Sequence, residues 1–219
     1  MDSLEAELAR ARDLEVGTLA DAIVEIGFEC TRCGACCRGD AEDPHTATVF
    51  PDEVRDLASA TDRDWREVAR PVPFGLEDGE GETFEWALQT DDCGDCTFYE
   101  EPADGPNRCT VHGDRPLICR TYPFSVALGG TSQPMGGVVD QSGPVQAHEC
   151  EGLGRDIDRG DAEALARALK ERAVRELEEA IAVRDQYEPV TPDPGEVVVH
   201  DSEGPKQPDG EPYPASDRE

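Results

Sequence analysis

Eight residues, Cys30-Thr31-Arg32-Cys33-Gly34-Ala35-Cys36-Cys37, hold four cysteines and constrain this chain more than any other stretch. Thiols separated by two residues on a tight turn can converge on one ion, so Cys-x-x-Cys knuckles recur in zinc sites and iron–sulfur clusters. Gly34 gives such a turn its conformational freedom. Cys36 and Cys37 are backbone neighbours whose side chains diverge, which directs them to different centres or to different edges of one cluster. The ferredoxin spacing Cys-x2-Cys-x2-Cys-x3-Cys is not completed, because Cys37 follows Cys36 at once. Spacing therefore places zinc slightly ahead of an iron–sulfur cluster.

Five further cysteines, Cys93, Cys96, Cys109, Cys119 and Cys150, bring the total to nine. Compartment decides between bridges and metal. Residues 1–7 lack the basic and apolar regions of a secretory signal, and no apolar run is long enough to cross a bilayer. A cytoplasmic protein without a membrane anchor is expected, and clustered cysteines there are metal ligands or catalytic thiols more often than disulfides.

Composition supports metal as part of the fold. Aromatic residues make up 5% and hydrophobic residues 37% of 219, a thin core that metal cross-links would reinforce. Fifty acidic residues against twenty basic ones leave a net charge of −30, which excludes a general affinity for nucleic acid or anionic membrane. Only Lys170 and Lys206 are lysines, and the arginine bias with the acid surplus resembles proteins of extreme halophiles. The cysteine segments depart from this pattern. Arg32 and Arg38 flank the first group without an acid, and Arg108, Arg115 and Arg120 accompany Cys109 and Cys119 against Asp114 alone. These guanidinium groups are expected to surround the thiolates, lowering thiol pKa and offsetting charge.

Four regions are expected. Residues 1–27 form an N-terminal helical segment, with Asp2 as a cap and Leu4, Leu8 and Ala11 on one stripe, then a break at Gly17-Thr18 and a second helix from Leu19 to Ile26. Residues 28–153 form a cysteine-cluster domain. Pro51 opens a short helix there, and another runs from Asp64 to Arg70. Weak alternation marks strands near 83–88, 97–99, 109–112 and 124–128. Residues 154–187 carry a long amphipathic helix, with Leu165, Leu169, Ala173, Leu177 and Ile181 every four residues. Residues 188–219 contain seven prolines among many acids and are expected to be a disordered acidic tail. The fold class is α+β: a small, irregular, metal-stapled core with short strands, flanked by the N-terminal helices and the long C-terminal helix.

The order of motifs resembles a known family. CTRCGACC, then Cys96 before the aromatic pair Phe98-Tyr99, Cys109, the stretch RPLICRTYPF at 115–124 and Cys150 together are similar to the zinc- or iron-chelating cysteine-cluster family of YkgJ type, named for its CxxCxxCC motif. The likeness spans roughly residues 28–153. It implies metal ligation by Cys30, Cys33, Cys36, Cys37, Cys96, Cys109, Cys119 and Cys150, with Arg115, Pro116 and Arg120 as supporting signature. Eight thiolates would fill two four-coordinate zinc sites, or one four-iron cluster plus a further metal. Cys93 lies outside the matched pattern, as a spare thiol or an alternative partner of Cys96. His112 and His148 are possible extra ligands but are more often hydrogen-bonding residues. His45 and His200, in polar loop and tail, carry no signal.

Function follows only in part. The resemblance implies zinc, iron or an iron–sulfur cluster, and related flagellin lysine methylases share the cysteine pattern. No phosphate loop, dinucleotide fingerprint or methyl-donor-binding turn is present, which weakens an enzymatic reading. Acid pairs such as Asp91-Asp92 are surface residues in a chain this acidic. Thioredoxin-like exchange through Cys30 and Cys33 would need a fold that the pattern does not show. A metal-binding protein with a structural, storage or delivery role is expected, its partner being the metal ion; the alternative is an iron–sulfur redox protein or a component of a larger enzyme.

Charge generates the first prediction. Self-repulsion at −30 limits the compact state, and the Debye length falls from about 10 Å at 0.1 M salt to about 3 Å at 1 M. The melting temperature of the metal-saturated protein should rise steeply from low salt to molar potassium chloride. A flat or falling trend would contradict both the repulsion argument and the halophilic reading.

Overall fold

A computed structural model describes residues 3–40, 42–105, 107–128 and 135–214. The helices are α1 (Leu4–Asp13), α2 (Val16–Ile26), α3 (Pro51–Thr61), α4 (Trp65–Val68), α5 (Leu117–Thr121) and α6 (Arg159–Gln186). The strands are β1 (Thr48–Val49), β2 (Ala69–Pro71), β3 (Gly81–Thr83), β4 (Trp86–Leu88), β5 (Tyr99–Glu100), β6 (Arg108–Cys109), β7 (Phe124–Val126), β8 (Val138–Ser142), β9 (Val145–His148), β10 (Val197–Asp201) and β11 (Gly204–Lys206). Short single-turn 3-10 helices cover Ala35–Cys37 and His112–Asp114. Helices and short strands together make an α+β protein.

The chain divides into two compact units, each built from three separate segments. The first contains Met1–Cys36, Glu100–Cys109 and Leu117–Glu178; the second contains Cys37–Tyr99, Thr110–Pro116 and Glu179–Glu219. This differs from the four consecutive regions expected, because local patterning does not reveal which distant segments share a core.

In the first unit, Ser3 caps α1 by accepting a hydrogen bond from Ala6 N. Asp2, the expected cap, lies outside the described residues. Helix α2 begins at Val16, so Gly17 is helical and the break falls earlier, around Leu14. The apolar face of α2 (Leu19, Ala20, Ile23, Ile26) packs with Phe124, Val145 and Ala147 of an antiparallel sheet ordered β7-β9-β8, and with Ala162, Ala166 and Leu169 of α6. Burying such side chains is the main stabilising term, at about 1.5–3 kcal/mol for each large aliphatic or aromatic residue. The small residues of α6 allow close approach where Leu165 lies only at the margin. Arg172 of α6 is 3% exposed, donating to Thr121 Oγ1 at 3.1 Å and Phe124 O at 3.3 Å and pairing with Glu176 at 2.5 Å. It thereby fixes the end of α5 to the start of β7.

In the second unit, α3 opens with Pro51 as expected, and Glu53 Oε2 accepts from Phe50 N. Helix α4 stops at Val68, because Ala69–Pro71 turns into a strand. One sheet is ordered β1-β4-β2, and another places β3 parallel to β10, with β11 antiparallel on its far side. The stretch near 83–88 thus serves two sheets, with a turn at Phe84-Glu85 between β3 and β4.

The last segment corrects the expectation of a disordered tail. Val197–Val199 pair in register with Gly81–Thr83, and Val198 and Val199 are fully buried. Asp201 Oδ2 accepts from Trp86 Nε1 at 2.9 Å and from Lys206 Nζ at 3.0 Å. Lys206 also lies 5.4 Å above the Trp65 ring, which meets Trp86 edge-on at 5.0 Å. Gly210 closes over Trp65 so tightly that a Cβ there would come within 2.4 Å of the ring. Three valines, one buried ion pair and a tryptophan pair outweigh the proline-rich composition that favoured disorder.

Deleting residues 196–214 should therefore lower the melting temperature by more than about 5 °C, because β3 loses its partner and Trp65 and Trp86 lose their cover. Calorimetry on the full and shortened chains measures this directly. An unchanged transition would restore the disordered-tail reading.

Candidate metal centre

The first unit brings two cysteine segments together by a backbone clamp. Glu29 N donates to Gly152 O at 3.0 Å, Gly154 N donates to Gly27 O at 3.0 Å, and Phe28 pairs with Leu153 as an isolated bridge. Both strands of the clamp depend on glycine. A Cβ on Gly152 would lie 2.2 Å from Glu29 O, and one on Gly27, at φ +76°, would lie 2.6 Å from Arg155 O. The Phe28 ring then meets Phe124 edge-on at 5.6 Å, joining the clamp to the apolar core.

This clamp aligns Cys30 with Cys150, residues 120 positions apart in sequence. Cys33 and Cys36 follow on a loop whose reversals use left-handed backbone at Arg32 (φ 57°) and Gly34 (φ 79°). Asn107 Nδ2 donates to Cys33 O at 2.8 Å and pins the turn. The outcome is electrostatic contact among four thiols. Burial pushes the Cys150 thiol up, and Cys36, Cys33 and Cys30 each push it further, while a bond from Gly152 N to its Sγ opposes them. Tyr122, which follows α5, hydrogen-bonds through its hydroxyl to Glu149 O and senses the same thiols; burial, Cys150, Cys36, Glu149 and Cys33 raise it to about 12.

Cys30 and Cys36 are exposed, whereas Cys33 and Cys150 are half-buried. Among the described residues, no three His, Cys, Asp or Glu side chains are already converged at coordinating positions. The donor set itself fits a borderline-soft cation: sulfur only, partly shielded, and mutually repulsive when ionised.

The second unit holds Cys37, Cys93 and Cys96. Cys96 is buried, and its N donates to Cys37 O at 2.8 Å. The two loops involved cross with little room: His45 N donates to Gly94 O at 2.8 Å, Gly39 N donates to Asp95 Oδ1 at 2.9 Å, and a Cβ on Gly39 would meet His45 N at 2.2 Å. Burial and neighbouring Arg70 push the His45 imidazole down to about 4, so it stays neutral at physiological pH. Cys93 is exposed at the tip of its turn, where its N donates to Asp91 Oδ1 at 2.9 Å.

Cys109, on β6, and Cys119, in α5, belong to the first unit, and both are half-buried. The signature residues around them have structural partners. Arg115 donates to His112 O at 3.1 Å, and Pro116 is buried. The neighbouring arginines and histidines also have partners of their own. Arg108 is committed to Glu100 by hydrogen bonds of 2.8 and 2.5 Å, and Arg38 to the Tyr99 hydroxyl at 2.8 Å, so these guanidinium groups serve local pairs. His148 is buried, with Nδ1 donating to Gly136 O at 3.2 Å and Nε2 accepting from Ser125 at 2.8 Å; both ring nitrogens are occupied. His200, read as a tail residue, is buried against Phe84 and Tyr187 with ring centroids at 5.4 and 4.9 Å. Sequence reasoning missed the clamp glycines; the GLG at 152–154, one residue beyond Cys150, was the available signal.

Cysteine segments from distant parts of the chain are brought together in the first unit. A family model described as "Putative zinc- or iron-chelating domain", CxxCxxCC, matches residues 29–151. The chain belongs to the CxxCxxCC family of metal-chelating proteins. No curated protein and no solved structure matches it. Among the described residues, no helix is long and apolar enough to cross a membrane.

The clamp supplies a prediction. Gly152→Ala should separate residues 27–30 from 150–154, destabilising the protein by about 2–4 kcal/mol and abolishing high-affinity metal retention. Gly137→Ala, where an added Cβ meets nothing within 4 Å, is the control. Equal behaviour of the two variants in thermal unfolding and metal analysis would refute the role given to the clamp.

Proposed function

We propose that Cys30, Cys33, Cys36 and Cys150 form a zinc centre that is integral to the fold. The observation that carries this reading is the backbone clamp, Glu29 N to Gly152 O and Gly154 N to Gly27 O, which brings the knuckle segment beside the segment of Cys150. Thiolates gathered on one ion give up their protons to it, and a divalent cation offsets the charge they then carry. Each residue has a definite part. Cys150 and Cys33 are the shielded donors, held by Gly152 N and Asn107, and Cys30 and Cys36 complete the set from the exposed side. When bound, the ion cross-links segments that the thin core alone holds weakly. Tyr122 ties the Glu149 carbonyl and so steadies the backbone next to Cys150.

Cys37, Cys96, Cys109 and Cys119 are proposed as further ligands on the family pattern, and the hydrogen bond between Cys37 and Cys96 supports a shared role for those two. Zinc is favoured over an iron–sulfur cluster because the knuckle spacing does not complete a ferredoxin run. A cytoplasmic, salt-adapted protein without nucleic-acid affinity accords with the charge of −30.

Elemental analysis of anaerobically purified protein should give stoichiometric zinc, no visible absorbance and no acid-labile sulfide. Cys93→Ser should leave the zinc content unchanged, whereas Cys33→Ser and Cys150→Ser should each remove at least one equivalent and lower the melting temperature. Brown protein containing iron and labile sulfide would overturn zinc in favour of the cluster. Equal losses from all three substitutions would overturn the ligand assignment.

A further inference from the structure

We propose that His200 is an acid-sensitive lock of the second unit: its neutral imidazole holds β3, β10 and the segment after α6 together, and its protonation loosens them. The three elements meet in one cluster. β10 lies parallel to β3 with Val199 opposite Thr83, and the residues that follow, His200 and Phe84, stack with ring centroids 5.4 Å apart and planes 24° from parallel. Tyr187, one residue beyond α6, meets the His200 ring edge-on at 4.9 Å and the Phe84 ring at 5.5 Å. Phe84 and Tyr187 are 43% and 40% exposed, whereas His200 is 2% exposed. The imidazole therefore fills an aromatic position, nearly out of contact with water, beside rings that reach the surface.

Burial leaves this imidazole without compensation for a charge. Its Nε2 is buried with no hydrogen-bond partner among the described residues, and Glu82 Oε2 stands 3.7 Å away, beyond hydrogen-bond reach. That carboxylate is already engaged. Glu82 Oε2 accepts from the Tyr187 hydroxyl at 2.8 Å, and Oε1 accepts from Val190 N at 2.9 Å, so Glu82 fastens the segment after α6 to β3. A neutral imidazole, close in shape to the rings it touches, is tolerated here. An imidazolium must be stripped of water and then needs a full hydrogen bond to an anion. To supply that bond Glu82 has to turn toward Nε2, out of the geometry it keeps with Tyr187 and Val190.

The charges around His200 come from few groups. Glu82 faces it from β3 and Asp201 adjoins it on β10, where Asp201 is committed to Trp86 and Lys206. From the segment after α6 comes the Tyr187 hydroxyl, kept protonated by its bond to Glu82, and on β11 the residue opposite is Pro205, which carries no charge. Burial is the largest influence on the imidazole and pushes it below its ordinary range, against upward pulls from Glu82 and Asp201. The folded state thus binds this proton less readily than the unfolded chain. The stability contributed by His200 is therefore complete above about pH 6.5 and is lost as pH falls through the depressed value.

Both tryptophans, Trp65 and Trp86, belong to the second unit, so their emission reports on it. The test is an acid titration of the full-length protein at constant salt, following tryptophan emission together with the His200 imidazole by nuclear magnetic resonance, assigned through its contacts with Phe84. The imidazole should titrate below about pH 6.5, and emission should change with the same midpoint. His200→Phe, which keeps the stacked ring, and His200→Gln, which keeps polarity, should each remove that step from the emission curve; both retain all nine cysteines, so acid effects on the thiols are common to every curve. An identical emission step in wild type and variants would overturn the lock. So would an imidazole titrating at or above about pH 6.5 in wild type, a measurement that decides the matter even where a variant fails to fold.

Discussion

The first unit depends on two backbone hydrogen bonds between residues 27–29 and 152–154. They join parts of the chain more than 120 residues apart, and loop closure over that length carries a large entropic cost before any favourable contact forms. The clamp meets this cost by acting where three other interactions coincide. Phe28 enters the apolar core beside Phe124, Leu153 lies at the core margin, and the thiols of Cys30 and Cys150 are brought within electrostatic reach. Glycine at 27 and 152 is the stereochemical condition for all three, because any side chain at these positions would strike backbone atoms that cannot yield. The placement of Cys30 beside Cys150 is thus set by packing and backbone stereochemistry, and the proposed centre would build on it.

Electrostatics then explains why packing alone is insufficient. Burial and neighbouring thiols both disfavour the charged form of Cys150, so the clamp concentrates groups that resist ionising together. Arginines near the cysteines in sequence do not resolve this, since Arg108 is paired with Glu100 and Arg38 with Tyr99. On the zinc reading proposed above, a divalent cation would join Arg32 in supplying positive charge beside the thiols. Elsewhere the surplus of acids is handled by short local pairs, such as Arg55 with Glu203, whose carboxyl falls to about 2 through its bonds to Arg55 and Lys206. Those pairs are half-exposed and individually contribute little.

Helix α6 was legible in the sequence because its apolar residues recur every four positions, a purely local signal. Pro51 at the start of α3 and the four-cysteine knuckle were legible for the same reason. What escaped was non-local. The pairing of β10 with β3 joins residues 197–199 to 81–83, and nothing in a segment rich in proline and acid announces a partner 116 residues away. Its signal was the run Val197-Val198-Val199, three β-branched residues in an otherwise polar tail, which composition averaged over 32 residues concealed. His148 was readable as a possible ligand by its closeness to Cys150, yet strand β9 turns it inward to Ser125. Strand β9 ends at His148, so Cys150 lies beyond it, and closeness in sequence does not give the two side chains a common environment.

The adjacent pair Cys36-Cys37 shows how far elementary backbone geometry carries. The two residues lie in a single-turn 3-10 helix and not on the extended backbone for which divergence is expected, and the division of the chain into two compact units falls between them. Cys36 acts on Cys150 in the first unit, while the Cys37 carbonyl accepts from Cys96 N in the second. A doubled cysteine is therefore suited to end one set of donors and begin another without an intervening linker. The motif's last two letters then have separate physical roles: the first closes the knuckle begun at Cys30, and the second starts the loop that Gly39 and Gly94 allow to pass tightly against residues 91–96. Replacing the doublet by two cysteines separated by a spacer would preserve the number of thiols yet shift one set relative to its backbone supports, which makes adjacency itself, and not the sulfur count, the feature that the motif encodes.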